Sequence, residues 1–379
     1  MADARTFSRR TPFYRDLYAA IDRLGGMLNA HLHLDRAETF DSRAPTGDRP
    51  SAEIELSLAE KHGLIPSLHD GPAFDPDNIT ARVGACMEVM IQAGTRRGDT
   101  VCDVTTDRVG LSSFETVLEI KKAYASRIDL RVGAYSPFGF RQDEPERFEL
   151  LQEAAQRADF VGTLPERDDR SSYPDHIGFD EHCRRVFELC RELRKPLHLH
   201  LDQRNDPSEN ATERFLRVLE EEGAPDPVEG ESMVWAVHVL SPSAYDEERF
   251  QALVERLARN DVGVICCPSA ALGMRQLRPL ATPTHNSIAR VLDLAAAGVH
   301  LRFGSDNICD MFSPSTTGDL IDEIYLLSGA LRFYNVEVLA GFAAGVRLGE
   351  DDRDLIRKHL SDDRAAVENM IKEGPLPGD

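Results

Sequence analysis

His31 and His33, separated by one leucine, close a short apolar run that begins at Met27. On a β-strand, residues i and i+2 project from the same face, so both imidazoles can reach one ion at the strand's carboxyl end. Three more metal-competent groups follow, each ending its own predicted strand: His200, His238 and Asp306. Neutral imidazoles with one carboxylate suit a divalent transition ion, zinc or ferrous iron, better than magnesium or calcium. Taken singly, each residue has a plainer explanation. A lone strand histidine is commonly a packed core residue, and an aspartate after a strand commonly caps a turn or helix. Their joint placement at the ends of strands 1, 5, 6 and 8 is what points to a metal centre.

The elements that must position these groups are legible as apolar runs. Strands are expected at Met27–Leu32, Thr100–Thr105, Ile128–Ala134, Asp159–Thr163, Pro196–Leu201, Met233–Val239, Val262–Cys267 and Val299–Gly304. Most are nearly continuous in apolar character, as parallel strands covered on both faces should be. Helical patterns alternate with them, at Phe114–Ala125, Phe179–Leu193, Ala211–Glu222, Ser243–Asn260 and Ser287–Ala297. The alternation predicts an α/β chain forming a single-domain (β/α)8 TIM barrel over residues 1–379. No Gly-x-Gly-x-x-Gly follows a strand, which argues against a dinucleotide fold. Residues 35–99 form a long insertion after strand 1, with a polar stretch at Asp41–Pro50 and helical patterns near Ala52–Lys61 and Asn78–Ala93. A helix-like piece at Pro12–Leu24 precedes strand 1. Residues 317–379 read as a helical tail, with segments at Asp319–Phe333, Asn335–Ala344, Asp351–Leu360 and Asp363–Lys372.

In such barrels functional groups gather at the carboxyl ends of the strands. His198 and His200 share a face of strand 5. His200 is followed at once by polar residues and belongs at the rim, while His198 lies a layer deeper in a structural role. His300 sits at the amino end of strand 8. His62, His69, His176, His182 and His359 read as surface or packing residues, and His285 follows strand 7. Strand 4 holds no lysine that could be carbamylated to bridge two ions, so a single metal is expected.

Composition sets the limits. A formal net charge of −21 opposes any sequence-independent grip on nucleic acid or anionic membrane, both of which require surplus Lys and Arg. No apolar run has the length of a membrane span. The charged first ten residues lack the apolar core of a secretory leader. The seven cysteines are scattered without a Cys-x-x-Cys pair, so neither a zinc ribbon nor a disulfide framework is expected. The expected setting is cytoplasmic, with a small-molecule substrate; a homo-oligomer is compatible with the sequence.

Beyond the spacing of the histidines, several segments resemble the cytosine deaminase branch of the amidohydrolase superfamily. They are Thr105-Thr-Asp, Phe114–Lys121, Ile128–Val132, Ala158–Pro165, His200-Leu-Asp-Gln, and Phe303–Asn307 with Asp310 shortly after. The resemblance implies that His31, His33, His200 and Asp306 hold the metal, and that His238 and Asp306 manage the attacking water. Three departures stand out. Gln203 occupies the position of the family's proton-shuttling glutamate, and an amide has no titratable proton to give. The loop Tyr135–Phe140 lacks the family's substrate-reading glutamine. Asn307 replaces a second aspartate. The flanking β-sandwich common in the family is also without counterpart, since nothing strand-like precedes residue 27.

The expected function is therefore a mononuclear metal-dependent hydrolase in which metal-activated water attacks a carbon bearing nitrogen. The substrate would be a small nitrogen heterocycle, amide or lactam other than cytosine. Gln203 and Asn307 are the expected polar contacts, with Phe138 and Phe312, and Phe140 beside them, walling an apolar slot. Two alternatives keep the fold. One is a non-hydrolytic lyase of decarboxylase type, for which Arg141 or Arg275 would bind a carboxylate. The other is a catalytically impaired binding homologue marked by Gln203.

Overall fold

The structure is a computed structural model that describes residues 11–40, 56–226, 231–274 and 288–373. Asp41–Pro50, Arg275 and His285 lie outside the described residues. Eight strands form one parallel sheet in chain order: β1 (Met27–Leu32), β2 (Thr95–Asp103), β3 (Asp129–Ser136), β4 (Phe160–Thr163), β5 (Leu197–Leu201), β6 (Val234–His238), β7 (Val262–Cys266) and β8 (Leu301–Phe303). The chain beyond β8 returns to β1. Asp306 N donates to His31 O at 2.9 Å, and His33 N donates to Asp306 O at 3.2 Å. The sheet is thus a closed (β/α)8 barrel without a free edge. Closure depends on Gly304, because a Cβ there would stand 2.7 Å from the backbone N and O of His31.

Every residue of β5, β6 and β7 is buried, as the continuous apolar runs require. The outer helices each turn one apolar stripe inward. The helix Phe179–Leu193 buries Phe179, Cys183, Val186, Phe187 and Cys190 at helical spacing and packs on β4 and β5. The helix Pro12–Arg23 packs against Val336–Ala344, which itself covers β1 and β8. No described helix is long and apolar enough to cross a membrane.

Two expectations need correction. β2 starts at Thr95 rather than Thr100. Its first residues are polar because they meet charges at the barrel's amino end: Arg97 holds Asp99 through two bonds of 2.8 and 2.9 Å and reaches Glu231 at 3.2 Å. The last two helical patterns are one helix, Glu350–Glu373. No glycine or proline separates Leu360 from Asp363, and Lys358 bridges that interval to Asp362 at 2.6 Å, an i,i+4 pair.

The described part of the insertion after β1 includes the helices Leu58–Gly63, Ile65–Asp70 and Pro76–Ala93. The first is held by a capping box. The Ser57 hydroxyl accepts from Glu60 N while the Glu60 carboxylate accepts from Ser57 N, a device worth about 1 kcal/mol. That cap fixes the helix whose inner face, through Leu58 and His62, overhangs the barrel mouth.

Candidate metal centre and its cavity

The five residues singled out by spacing converge at the carboxyl mouth. His31 Nε2 lies 3.0 Å from His200 Nε2. Asp306 Oδ1 lies 3.3 Å from His33 Nε2 and 3.6 Å from His31 Nε2, and its Oδ2 lies 4.0 Å from His238 Nε2. Three overlapping triads, His31–His33–Asp306, His31–His200–His238 and His238–Cys267–Asp306, each have their ligand atoms within 4.8 Å of one another. All five side chains are buried.

Backbone geometry aims two of them. His238 and Asp306 adopt positive φ, 78° and 60°, where non-glycine residues are uncommon and tend to mark strained functional positions. Each sits where its chain leaves the barrel wall, and the left-handed turn directs the side chain into the mouth. His200 is held from behind, its Nδ1 lying 3.1 Å from Thr163 O. The Thr163 hydroxyl meets His182 Nε2, and His182 Nδ1 lies 2.6 Å from Asp168. His182 and His176, expected at the surface or in packing, are thus both tied to Asp168. His198 lies one layer below the rim, stacked on Phe160 at 4.2 Å.

The electrostatics favour a cation at this point. Burial first, then repulsion from its neighbour His200, drives the His31 imidazole well below its ordinary range; burial lowers His200 and His238 as well. These rings are neutral and offer lone pairs. Burial alone would raise the Asp306 carboxyl, but the group is held far below the usual carboxylate range, foremost by the hydrogen bond with His33. The Nδ1 atoms of His31 and His33 are buried without a hydrogen-bond partner, so neither ring is held in this arrangement by a bond through that atom. Three or four nitrogen donors and one ionised oxygen, crowded around a single point, fit one zinc or ferrous ion. β4 contributes Thr163 and no lysine.

The cavity above this point is lined by His33, Arg36, His62, Tyr135, Gln203, His238, Asn307 and Phe312, among others. Gln203 is 9% exposed, and its side-chain amide bonds no described residue, which leaves it to a ligand. Asn307 Nδ2 donates to Asp310 at 2.5 Å, and Asp310 also accepts from Phe312 N and Ser313 N. This turn presents the Phe312 ring. Phe138 is not among the lining residues; its ring lies 5.8 Å from His69. Phe140 packs on Phe148 and His182. Arg141 is paired with Asp143 and Glu144 at 3.0 and 3.2 Å.

Sequence reasoning missed Arg36, His62 and Tyr135. Arg36 and Tyr135 carried a usable signal, since both fall at the carboxyl ends of strands, three residues after His33 and within β3. His62 carried none, because its approach depends on how the insertion folds back. Arg36 is buried and grips Asp103 through Nε at 2.8 Å and Nη2 at 2.5 Å. Asp103 also meets His69 Nε2 at 2.9 Å, and His69 Nδ1 lies 2.6 Å from Asp107.

This buried chain predicts a pH signature. Burial alone would lower the His69 imidazole, but its bonds to Asp103 and Asp107 outweigh that and push it up to about 9. The ring is charged in the folded protein and titrates near 6.5 when unfolded. Its stabilisation is therefore fully present below about pH 6.5 and lost as pH rises through about 9. The difference corresponds to ~3 kcal/mol. The thermal midpoint is expected to fall across that window, and His69→Gln to flatten this limb. A wild-type midpoint constant over the same range would show that His69 is not charged.

The (β/α)8 barrel expected from the sequence is borne out, and solved deaminases and hydrolases share this fold. The 5-methylcytosine deaminase of Klebsiella pneumoniae, solved with 5-fluorocytosine, superposes with a TM-score of 0.69 at 21% identity, covering 84% of this chain and 72% of the deaminase. By sequence, the chain is 26% identical over 271 residues to an uncharacterized protein of Haemophilus influenzae, covering 71% of this chain and 90% of that protein. It is 20% identical over 310 residues to a pterin deaminase of Rhizobium rhizogenes, covering 81% of this chain and 64% of the deaminase. No protein-family profile matches the chain.

Proposed function

We propose that this protein is a mononuclear metal-dependent hydrolase that cleaves a C–N bond in a small nitrogen heterocycle or cyclic amide, by deamination or ring-amide hydrolysis. The observation that carries the reading is the convergence of His31, His33, His200, His238 and Asp306 at the barrel mouth. The deaminase activities named for the Klebsiella and Rhizobium proteins support it.

His31, His33, His200 and Asp306 would hold one zinc or ferrous ion. When bound there, such an ion lowers the pKa of water toward neutrality and acts as a Lewis acid. The chain's own residues do the rest. Asp306 is held ionised and accepts the proton of the attacking water through the oxygen that faces His238. His238, neutral by burial, donates from its ring nitrogen to the oxygen on which negative charge develops. The proton on Asp306 then passes to the departing nitrogen, which leaves as ammonia or an amine. Gln203 positions the substrate through its amide and adds no proton. Arg36, fixed by Asp103 through Nε and Nη2, has its guanidinium carbon 5.9 Å from the ring centroids of both Tyr135 and Phe312. That geometry suits a planar ring bearing a carbonyl acceptor.

Metal analysis of purified protein is expected to give about one equivalent of zinc or iron. Ammonia release from a panel of aminated heterocycles should be abolished by chelation and restored by zinc or ferrous iron. Protein that takes up no transition metal after reconstitution would refute the reading. Carbon dioxide released in place of ammonia would favour a lyase on the same barrel.

A further inference from the structure

A second, larger cavity of about 450 Å³ adjoins the candidate metal centre and shares Leu58, His62 and Gln203 with its wall. Its charged lining is contributed by Glu166, Arg167, Asp169, Arg204, Glu209 and Arg214. Two of these cations are neutralised in place, Arg204 by Glu209 and Arg214 by Asp169. Arg167 is different. No described carboxylate lies within 4.0 Å of it. One guanidinium nitrogen donates to the Tyr173 hydroxyl, and the Nε is buried with no partner. It also lies close enough to the metal-centre cavity for its charge to act on His62, which burial first and then Arg167 push down to about 3.

We infer that Arg167 forms an anion subsite, and that the substrate is a nitrogen heterocycle carrying a carboxylate, its ring at the metal centre and its acid group in the adjoining cavity beside Arg167. This deepens the proposed function and rests on it. In a chain with a net charge of −21, a half-buried arginine without a carboxylate partner among the described residues needs a reason. Desolvating a cation without a counter-charge is costly; its guanidinium carbon lies 4.9 Å from the Tyr173 ring, and a carboxylate bound in the cavity would answer the charge through Nη2, which bonds no described residue. The remaining acid in the cavity does not oppose this. Glu166 accepts from Asp202 N at 2.6 Å, and burial, followed by the nearby Glu209 and Asp202, pushes its carboxyl well above the ordinary range.

The test compares matched pairs that differ only in the acid group, pterin with pterin-6-carboxylate and cytosine with cytosine-5-carboxylate. Ammonia release and thermal stabilisation are read on the metal-loaded protein. For at least one pair, the acid member is expected to show a KM about tenfold to a hundredfold lower, the range of one charge-assisted bond. Arg167→Gln should raise KM for the acid member by that factor with kcat unchanged and leave the neutral member as it was. Arg167→Lys should keep part of the preference. Equal KM within both pairs overturns the inference, as does an Arg167→Gln effect that is the same for acid and neutral members, which would mark the arginine as a brace for Tyr173. Should Arg167→Gln not fold, the wild-type pair comparison decides alone. Absence of ammonia from every compound tells against the proposed function instead. The subsite is then judged by whether the acid members stabilise the protein more than their neutral partners.

Discussion

Asp306→Asn is expected to lower kcat/KM for ammonia release by about 10³-fold, within the range measured for loss of a general acid–base. The substitution is nearly isosteric, so no cavity opens and far-ultraviolet circular dichroism should be unchanged. Two functions are lost together. One oxygen faces His31 and His33 and the other faces His238, so the carboxylate stands both among the ligand atoms and on the path of the proton. Metal content must therefore be measured beside the rate. Protein that keeps a full equivalent of metal yet loses the rate isolates the proton-transfer role, and protein that loses both reports the ligand role. Undiminished turnover in Asp306→Asn would sink the proposed mechanism whatever the metal content.

The strand ends were readable because a parallel barrel writes its pattern locally. Val234–His238 is apolar up to its closing histidine and Leu197–Leu201 alternates leucine with His198 and His200, and both patterns survive without any tertiary information. The same logic put His198 below the rim, where the structure stacks it on Phe160. What could not be read depends on chain reversal. His62 reaches the cavity because a capped helix in the insertion folds back over the mouth. Arg167 reaches the adjoining cavity because the turn Pro165–Asp168 carries it inward after β4. Neither conformation has a periodic signature. His69 and His182 read as surface or packing residues in the sequence because their partners, Asp103 with Asp107 and Asp168 with Thr163, stand on other elements or at distant turns. The sequence shows β2 shorter for a related reason: Arg96 and Arg97 look like loop residues, whereas Asp99 and Glu231 meet Arg97 at the barrel floor.

These buried charge relays also bear on how the mouth keeps its shape. The turn after β1 is fixed by Asp35, which accepts from Asp103 N at 2.7 Å and from the Ser113 hydroxyl at 3.1 Å. Asp103 in turn holds Arg36 and His69. A buried ion pair adds little net stability, but breaking one member is costly because the other is left uncompensated. The network therefore serves placement more than stability. It pins the cavity face of Arg36 at a fixed distance from His33, three residues earlier in the chain.

Gln203→Glu is expected to raise deamination of cytosine by about 10²-fold, the lower end of what a positioned general acid contributes, while turnover of the native substrate falls at least tenfold. The change alters chemistry without moving the backbone. Asp202, immediately before it, is anchored at φ 54° and accepts from Ala211 N and Thr212 N at 2.8 and 2.9 Å, capping the helix Ala211–Glu222. By the resemblance, a carboxyl at 203 would stand where the cytosine deaminase branch carries its proton shuttle, and it would share a cavity in which burial pushes the Glu166 carboxyl well above its ordinary range. It would thus carry a proton near neutral pH and deliver it to a ring nitrogen, which the wild-type amide cannot do. Because that acid works only while protonated, the variant's cytosine activity should fall as pH rises through its pKa, a limb absent from the wild-type profile. The native substrate should suffer for the converse reason: a ligand that both donates to and accepts from the Gln203 amide loses one of those bonds when the amide becomes a carboxyl. Native turnover equal to wild type in Gln203→Glu, with no new pH limb, would place residue 203 outside the reacting centre and remove the basis for excluding cytosine.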